Sequence, residues 1–164
     1  MQITREYKLG GSYDVVVCGG GPAGVAAAVS CSKEGKKPLL IEQGGCLGGF
    51  WTRGLLTWLI DTFQKGPFWD EVMDTLEQQA DGKKLPHLPR FTADTEKTKL
   101  ELERLCKKSG VDIRYHTFVS DAVVQENTVK AVLTESKSGH LCFEAKIFID
   151  ATGDGDFGYL CGAS

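Results

Sequence analysis

Tyr13-Asp14-Val15-Val16-Val17-Cys18 runs directly into Gly19-Gly20-Gly21-Pro22-Ala23-Gly24. An apolar stretch with three consecutive valines reads as a strand buried on both faces. The spacing G-x-G-x-x-G at Gly19, Gly21 and Gly24 then calls for a tight turn. Pro22 to Glu34 reads as a helix whose small residues (Ala23, Ala26, Ala27, Ala28, Ser30) allow close approach to a sheet, with Gly35 as its C-terminal cap. Pro38 to Glu42 reads as a second strand. Strand, glycine turn, helix and strand make a β-α-β unit of the length a parallel crossover needs.

Each glycine of such a turn has a mechanical task. The first permits the turn, the second lets backbone approach a pyrophosphate, and the third lets helix and strand pack closely. The helix beyond carries roughly half a positive elementary charge at its N-terminus, with unpaired N–H groups. Pro22 removes one donor and presets the helical backbone. Glu42, closing the second strand, is placed to accept both ribose hydroxyls of an adenosine, and its charge disfavours a 2′-phosphate.

Downstream the pattern changes several times. Residues 43–54, "QGGCLGGFWTRG", form a second glycine-rich loop; 55–63 and 67–79 read as helices; 80–93, with two prolines and no period, reads as a loop. A strong amphipathic helix follows from Asp94 to about Ser109, carrying Leu100, Leu102, Leu105 and Cys106, capped by Asp94 or Thr95 and stopped by Gly110. From Val111 the period is two. Val111 to Thr117, Ala122 to Gln125, Val129 to Thr134 and Leu141 to Ile149 read as strands of an antiparallel meander, turning at Glu126-Asn127 and Ser138-Gly139-His140. The last strand runs into "ATGDGD" and a short helix at 156–161.

Bulk composition removes several classes. With 164 residues, 41% hydrophobic and 25% charged, the chain suits one globular domain with a real core. A formal net charge of −3 gives no footprint for nucleic acid or an acidic membrane, so neither is expected as a partner. Six cysteines occur without a C-x-x-C pair, which removes the main support for zinc or a thioredoxin-like centre, and no metal is expected. The opening Met1-Gln2-Ile3-Thr4-Arg5-Glu6 lacks the apolar core of a signal peptide, and no apolar run approaches transmembrane length. A cytoplasmic location is the expectation.

Three segments in fixed order carry a more specific signal: "DVVVCGGGPAGVAAAVSCSKEGKKPLLIEQ", "CLGGFWTRG" and "FIDATGDGDFGYLCGA". Together they resemble the FAD-dependent oxidoreductase family of the glutathione-reductase-like flavoprotein superfamily, in the group with an LGG-x-x-T-x-G loop, here Leu47 to Gly54. The resemblance covers nearly the whole chain. It implies an α/β, Rossmann-like FAD/NAD(P)-binding fold with a parallel sheet, a helical insertion and an antiparallel β-meander, and FAD as cofactor. By the same resemblance Gly19, Gly21, Pro22, Ala23 and Gly24 would meet the FAD pyrophosphate and Glu42 the adenosine ribose. Gly48, Gly49 and Thr52 would lie along the pyrophosphate-to-flavin side, and Val119 would present its backbone to adenine. Ala151, Thr152 and Gly153 would form the second dinucleotide-side turn, with Asp154 near the cofactor.

Relatives in this family are longer and carry a substrate or cap domain and a C-terminal segment against the flavin ring. The expectation is therefore a single, incomplete FAD-binding domain over 1–164, with a helical and loop insertion at 55–93. A missing C-terminal portion, or self-association at an unfinished sheet edge, would complete it. A small-molecule substrate and NAD(P)H or another electron carrier are the expected partners. Two other readings stay open: an NAD(P)-dependent dehydrogenase, against which stands the apparent lack of a third βα unit after Glu42, and a non-catalytic dinucleotide-binding module.

Flavin does its own redox chemistry, so no nucleophile–base pair is expected, and none is visible. Cys46 lies where disulfide reductases place a redox pair, but no second cysteine stands near it, so it reads as a small loop residue. Arg53 is either a phosphate or substrate cation or a solvated loop residue, the two readings being equally open. Lys65 has no motif behind it; His87 and Arg90 ride on an unstructured connection of the kind that often carries functional residues, with a surface histidine the favoured reading; His116 reads as a strand residue and His140 as a hairpin residue. The aromatic set Phe50, Trp51, Trp58, Phe63, Phe68 and Trp69 reads as helix core in preference to a substrate lid.

Overall fold

The computed structural model describes residues 4–56, 58–59, 66–77 and 91–163. The first unit is the one the valine run dictates. Strand β1 (Lys8–Cys18) leads through the glycine turn into helix α1 (Pro22–Lys33) and strand β2 (Pro38–Ile41), which lies parallel to β1. Alternation along β1 splits its side chains between two cores. Val15 and Val17 face a cluster with Val25, Ala28 and Val29 of α1, while Val16 and Cys18 face a cluster with Val132, Phe143 and Phe157. Val16, Val17 and Cys18 are wholly inaccessible to water, which explains why this strand needs an unbroken apolar sequence.

α1 packs closely because its buried face is nearly bare: Gly24, Val25, Ala28 and Val29 are its buried residues. Gly35 ends the turn beyond it with φ +71°, its N–H donating to the Ser32 carbonyl. The Ser32 hydroxyl donates to the Ser109 carbonyl, joining the ends of two helices. The second of these, α3 (Thr95–Lys108), starts on Asp94, whose carboxylate accepts the Lys97 N–H at 2.8 Å. Its buried face carries Thr98, Glu101, Leu102 and Cys106, whereas Leu100 points outward. Helix α2 (Pro67–Glu77) lies against α1 and α3 and buries Val72 and Leu76.

The six-stranded sheet has the order β5-β2-β1-β8-β7-β6, with β5 (Asp112–Arg114), β6 (Phe118–Gln125), β7 (Thr128–Ser136) and β8 (Gly139–Asp150). β8 lies parallel to β1 along almost its whole length, so β1 is flanked on both sides by parallel neighbours. β6, β7 and β8 form the expected meander. Its first turn has both Glu126 and Asn127 in the left-handed region, φ 48° and 59°, the backbone of a tight two-residue hairpin. Helix α4 (Asp156–Leu160) closes the described chain.

Several sequence expectations change here. The segment from Val111 is no part of the meander: β5 pairs in parallel with β2, at Leu39–Asp112, Leu40–Ile113 and Ile41–Arg114. With α3 it is a third βα unit, so the argument against a nicotinamide enzyme from its absence falls. Beyond β5 the chain turns at His116, φ 49°, and crosses the end of β2 before entering β6. His116 is thus a corner residue, not a strand residue.

The expected helix at 55–63 also fails within the described residues. Leu55 has φ 56°, which a right-handed helix cannot include. Trp58–Leu59 (β3) instead pairs antiparallel with Phe91–Thr92 (β4), inside the stretch expected to be loop. The rest of 80–90 lies outside the described residues, as do Phe63, Lys65, His87 and Arg90. Among the described residues no helix is long and apolar enough to cross a membrane.

Candidate functional site: a cleft between two glycine turns

Two chain reversals meet at the C-terminal end of the sheet. The Gly19 N–H donates to the Ile41 carbonyl at 2.8 Å, and the Ala151 N–H donates to the Cys18 carbonyl at 2.8 Å. The turns after β1 and β8 are thereby stitched to neighbouring strand ends. Contact is close enough to dictate residue type. A Cβ on Gly19, already at φ +104°, would overlap the Ala151 carbonyl, and a Cβ on Gly24 would overlap the Gly19 carbonyl oxygen. The first and third glycines of the motif are accounted for by packing alone.

Gly21 differs. Its φ is −68°, an ordinary value, and a Cβ built there meets no atom within 4 Å. Neither backbone strain nor the protein's own packing calls for glycine at this position. The space beside it belongs to a cleft of about 500 Å³. Gly19 to Ala23 line one side, Ile41 to Gln43 the floor, and Ala151 to Gly153 with Asp156 another side. Gly49, Phe50, Arg53 and Gly54 approach from the second glycine loop, and Thr117, Phe118 and Val119 from the crossing into β6. The cleft thus opens where β1 changes partner from β2 to β8, the switch point at which doubly wound sheets take their ligands.

Glu42 organises that floor. It is buried, 6% exposed. One carboxylate oxygen, Oε2, accepts the Gly20 N–H at 2.8 Å; the other, Oε1, accepts the Gly44 N–H and lies 3.2 Å from the Arg53 guanidinium. A carboxylate offers about four acceptor directions, so three are in use and about one remains for a sugar hydroxyl. Sequence reasoning assigned it both hydroxyls and missed these internal partners.

The far side is held by Asp150. Its Oδ1 accepts the Thr152 N–H at 2.9 Å and the Thr152 hydroxyl at 2.7 Å, and its Oδ2 accepts the Gly158 N–H at 2.7 Å. Partial burial works to raise this carboxyl, but the donors from Thr152, Gly158 and Phe157 outweigh it and hold it below the usual carboxylate range. Asp150 thus fixes the Ala151–Gly153 turn and the start of α4 together.

Of the residues singled out from sequence, Gly19, Gly21, Pro22, Ala23, Glu42, Gly49, Val119, Ala151, Thr152 and Gly153 line the cleft. Gly24, Gly48, Thr52 and Asp154 do not. Gly24 packs beneath the turn, and Gly48 has φ +102° and would press any side chain into Thr52. Thr52 is fully buried, its hydroxyl donating to the Leu47 carbonyl at 2.6 Å, which closes the loop upon itself. Asp154, beside Gly153, is exposed. Arg53, left open between anion partner and solvated loop residue, also lines the cleft, as does Phe50, read as helix core; reasoning from sequence passed over Gly20, Gln43, Thr117, Phe118 and Asp156, of which only Gly20, inside the glycine run, carried a local signal. The aromatic set divides: Trp51 stacks edge-on against Trp69 at 5.7 Å in the core, while Phe50 is 74% exposed at the cleft.

What this arrangement can do follows from its parts. The start of α1 has no side-chain cap and no acidic residue in its first turn, so its positive end is available to an anion in the cleft. Arg53 adds a cation, Glu42 a hydroxyl acceptor, and Phe118 and Phe50 apolar faces. These are the parts of a receptor for a phosphorylated nucleoside, and the fold that carries them is a Rossmann-like dinucleotide-binding fold.

Comparison with known proteins narrows the class. The family model described as FAD dependent oxidoreductase matches residues 14–164, and the chain belongs to that family, whose cofactor is FAD. Among curated proteins it is 28% identical over 151 residues to a thiamine thiazole synthase of Pyrococcus horikoshii, covering 87% of this chain and 58% of the relative. A putative bifunctional amine oxidase of Dictyostelium discoideum is 51% identical over 45 residues, 27% of this chain and 4% of that protein. The chain thus spans under two thirds of these relatives. Among solved structures, a geranylgeranyl bacteriochlorophyll reductase-like protein of Thermoplasma acidophilum superposes with a TM-score of 0.70 at 22% identity, over 93% of this chain and 43% of that one. THI4 of Thermovibrio ammonificans gives a TM-score of 0.69 at 20% identity, over 91% and 61%. These two likenesses speak to the fold.

Proposed function

We propose that the cleft between the Gly19–Gly24 and Ala151–Gly153 turns holds the adenosine-pyrophosphate part of FAD, and that the chain works as an FAD-dependent oxidoreductase, or as its FAD-binding portion, on a small-molecule substrate. The observation that carries the reading is the open space at Gly21. A glycine that the protein's own atoms do not need stands at the mouth of an uncapped helix, which is where a pyrophosphate requires bare backbone. The residues present fit the group: α1 for the phosphates, Glu42 for a ribose hydroxyl, and the Phe118–Val119 backbone beside the base.

FAD when bound would supply the electron transfer to and from substrate. This chain's residues bind and orient it. Gly19 and Gly24 fix the turn, Glu42 ties three segments into the floor, and Asp150 holds the opposite turn. Gly48, Gly49 and Thr52 shape the loop leading away from the phosphates, with Asp154 near the cofactor. We take 1–164 as one domain with 55–93 as its insertion. NAD(P)H or another electron carrier is the proposed partner, and further chain or a second copy is the proposed cover for the flavin ring. A reducing, cytoplasmic setting fits the unpaired state of its cysteines.

The test is an absorbance scan of the purified chain before and after incubation with FAD, followed by release and mass spectrometry of any bound cofactor. Bound flavin is expected; a colourless protein that takes up no added FAD overturns the reading. The third parallel strand, β5, favours a second reading as a nicotinamide enzyme, which tight NADH binding without flavin uptake would support. Flavin binding without turnover would point instead to a non-catalytic module.

A further inference from the structure

Arg53 is the single cationic side chain among the described residues that line the cleft, where it shares the wall with the carboxylates of Glu42 and Asp156. It is held in a particular seat. Its guanidinium lies 3.2 Å from Glu42 Oε1, and it rests on Gly44: a Cβ there would come within 2.8 Å of both Cδ and Cζ of Arg53 and overlap Nη1. The pair is unequal. The Glu42 side chain is 8% exposed and fixed by two backbone donors, whereas Arg53 is 51% exposed. If one partner lets go, it is Arg53.

A nucleotide supplies a reason to let go. With the Gly20 and Gly44 N–H groups and Arg53 all on the carboxylate, Glu42 has about one acceptor direction left for a ribose that offers two hydroxyls. Moving Arg53 frees the second. The displaced cation stays in the same cleft, where a pyrophosphate brings the negative charge that the wall otherwise lacks a side-chain partner for.

We propose that Arg53 is an exchangeable anion receptor: its guanidinium exchanges between Glu42 Oε1 and the phosphates of a bound nucleotide, and on the phosphates it leaves Glu42 Oε1 to the ribose. It would discriminate nucleotides by phosphate charge, favouring FAD and ADP over adenosine. The inference rests on the cofactor site proposed above, and its test separates the two.

Binding of ADP and FAD is measured by titration calorimetry on the whole chain, with adenosine measured by competition against ADP, for the wild type and Arg53→Gln. The variant is expected to weaken ADP and FAD roughly tenfold or more, the loss of a charged hydrogen bond. Adenosine should bind as before or more tightly, because Oε1 is released. The ADP deficit should also shrink as salt is raised. Retained adenosine binding doubles as the check that the variant is folded. Equal loss of adenosine and ADP overturns the exchange and leaves Arg53 as a mere support for Glu42. Unchanged ADP affinity overturns the receptor role alone. A wild-type chain that binds neither FAD nor ADP overturns the site itself and this inference with it.

Discussion

Three glycines in one motif are held by different constraints. A side chain at Gly24 has nowhere to go except into the Gly19 carbonyl, so Gly24→Ala should cost about 1–3 kcal/mol of stability by overpacking, read as a lowered midpoint in urea. A side chain at Gly21 has open space and an ordinary backbone angle. Gly21→Val should therefore change stability by only about 0.5 kcal/mol and yet abolish flavin retention. If the variant keeps its flavin, the pyrophosphate lies elsewhere. Glu42→Ala behaves differently again. It strips acceptors from the Gly20 and Gly44 N–H groups, so cofactor affinity and stability should fall together, the latter by about 1–3 kcal/mol for each donor left dry. The motif's presence was legible in six letters; this division of labour was not, because it depends on what lies opposite each Cα. Arg53 was legible as an anion partner or a solvated loop residue, equally open, but its pairing with Glu42 was not, since the two stand eleven positions apart across an irregular glycine loop that no periodic pattern spans.

Among the elements, those whose partners are local or whose pattern is long could be read directly: β1, α1, β2, α3 and the β6-β7-β8 meander. β5 could not. Its three residues alternate exposed, half-buried, exposed, the same pattern as a meander strand, and only pairing with β2 reveals its direction. The apolar run after Gly54 misled for a related reason. Leucine and tryptophan suit either element, and the left-handed Leu55 that rules out the helix leaves no trace in composition. The junction between β8 and α4 makes a pH prediction. Asp150 is held below its usual carboxyl range, so the interactions that depress it stabilise the fold fully above the unfolded value near 3.9. That contribution drains away as pH falls through the lower, folded value. Asp150→Asn should consequently destabilise the chain at neutral pH and narrow its difference from wild type under strong acid, as followed by circular dichroism melts.

For the whole molecule, the two cores flanking the sheet set the reactivity of its thiols. Burial raises Cys18 strongly, with Asp150 and Cys161 adding to it, and pushes Cys106 up to about 12, with help from Glu103. Both should resist iodoacetamide at pH 8 in the native chain and react once it is unfolded; rapid native labelling of either, followed by peptide mass mapping, would contradict the packing described.

The contact between Gly19 and Ala151 has a consequence in time. On the ribosome, β1, α1 and β2 emerge early, but β8 can take its place beside β1 only after the meander has been synthesised. Until then one side of β1 is a raw edge, and the cradle has one wall. Long-range parallel pairing of this kind is slow to form, since the loop must close before any contact rewards it. With FAD in the cleft as proposed, cofactor capture is a late event in the life of each chain, and an arrested or truncated product that stops short of β8 would be born unable to turn yellow.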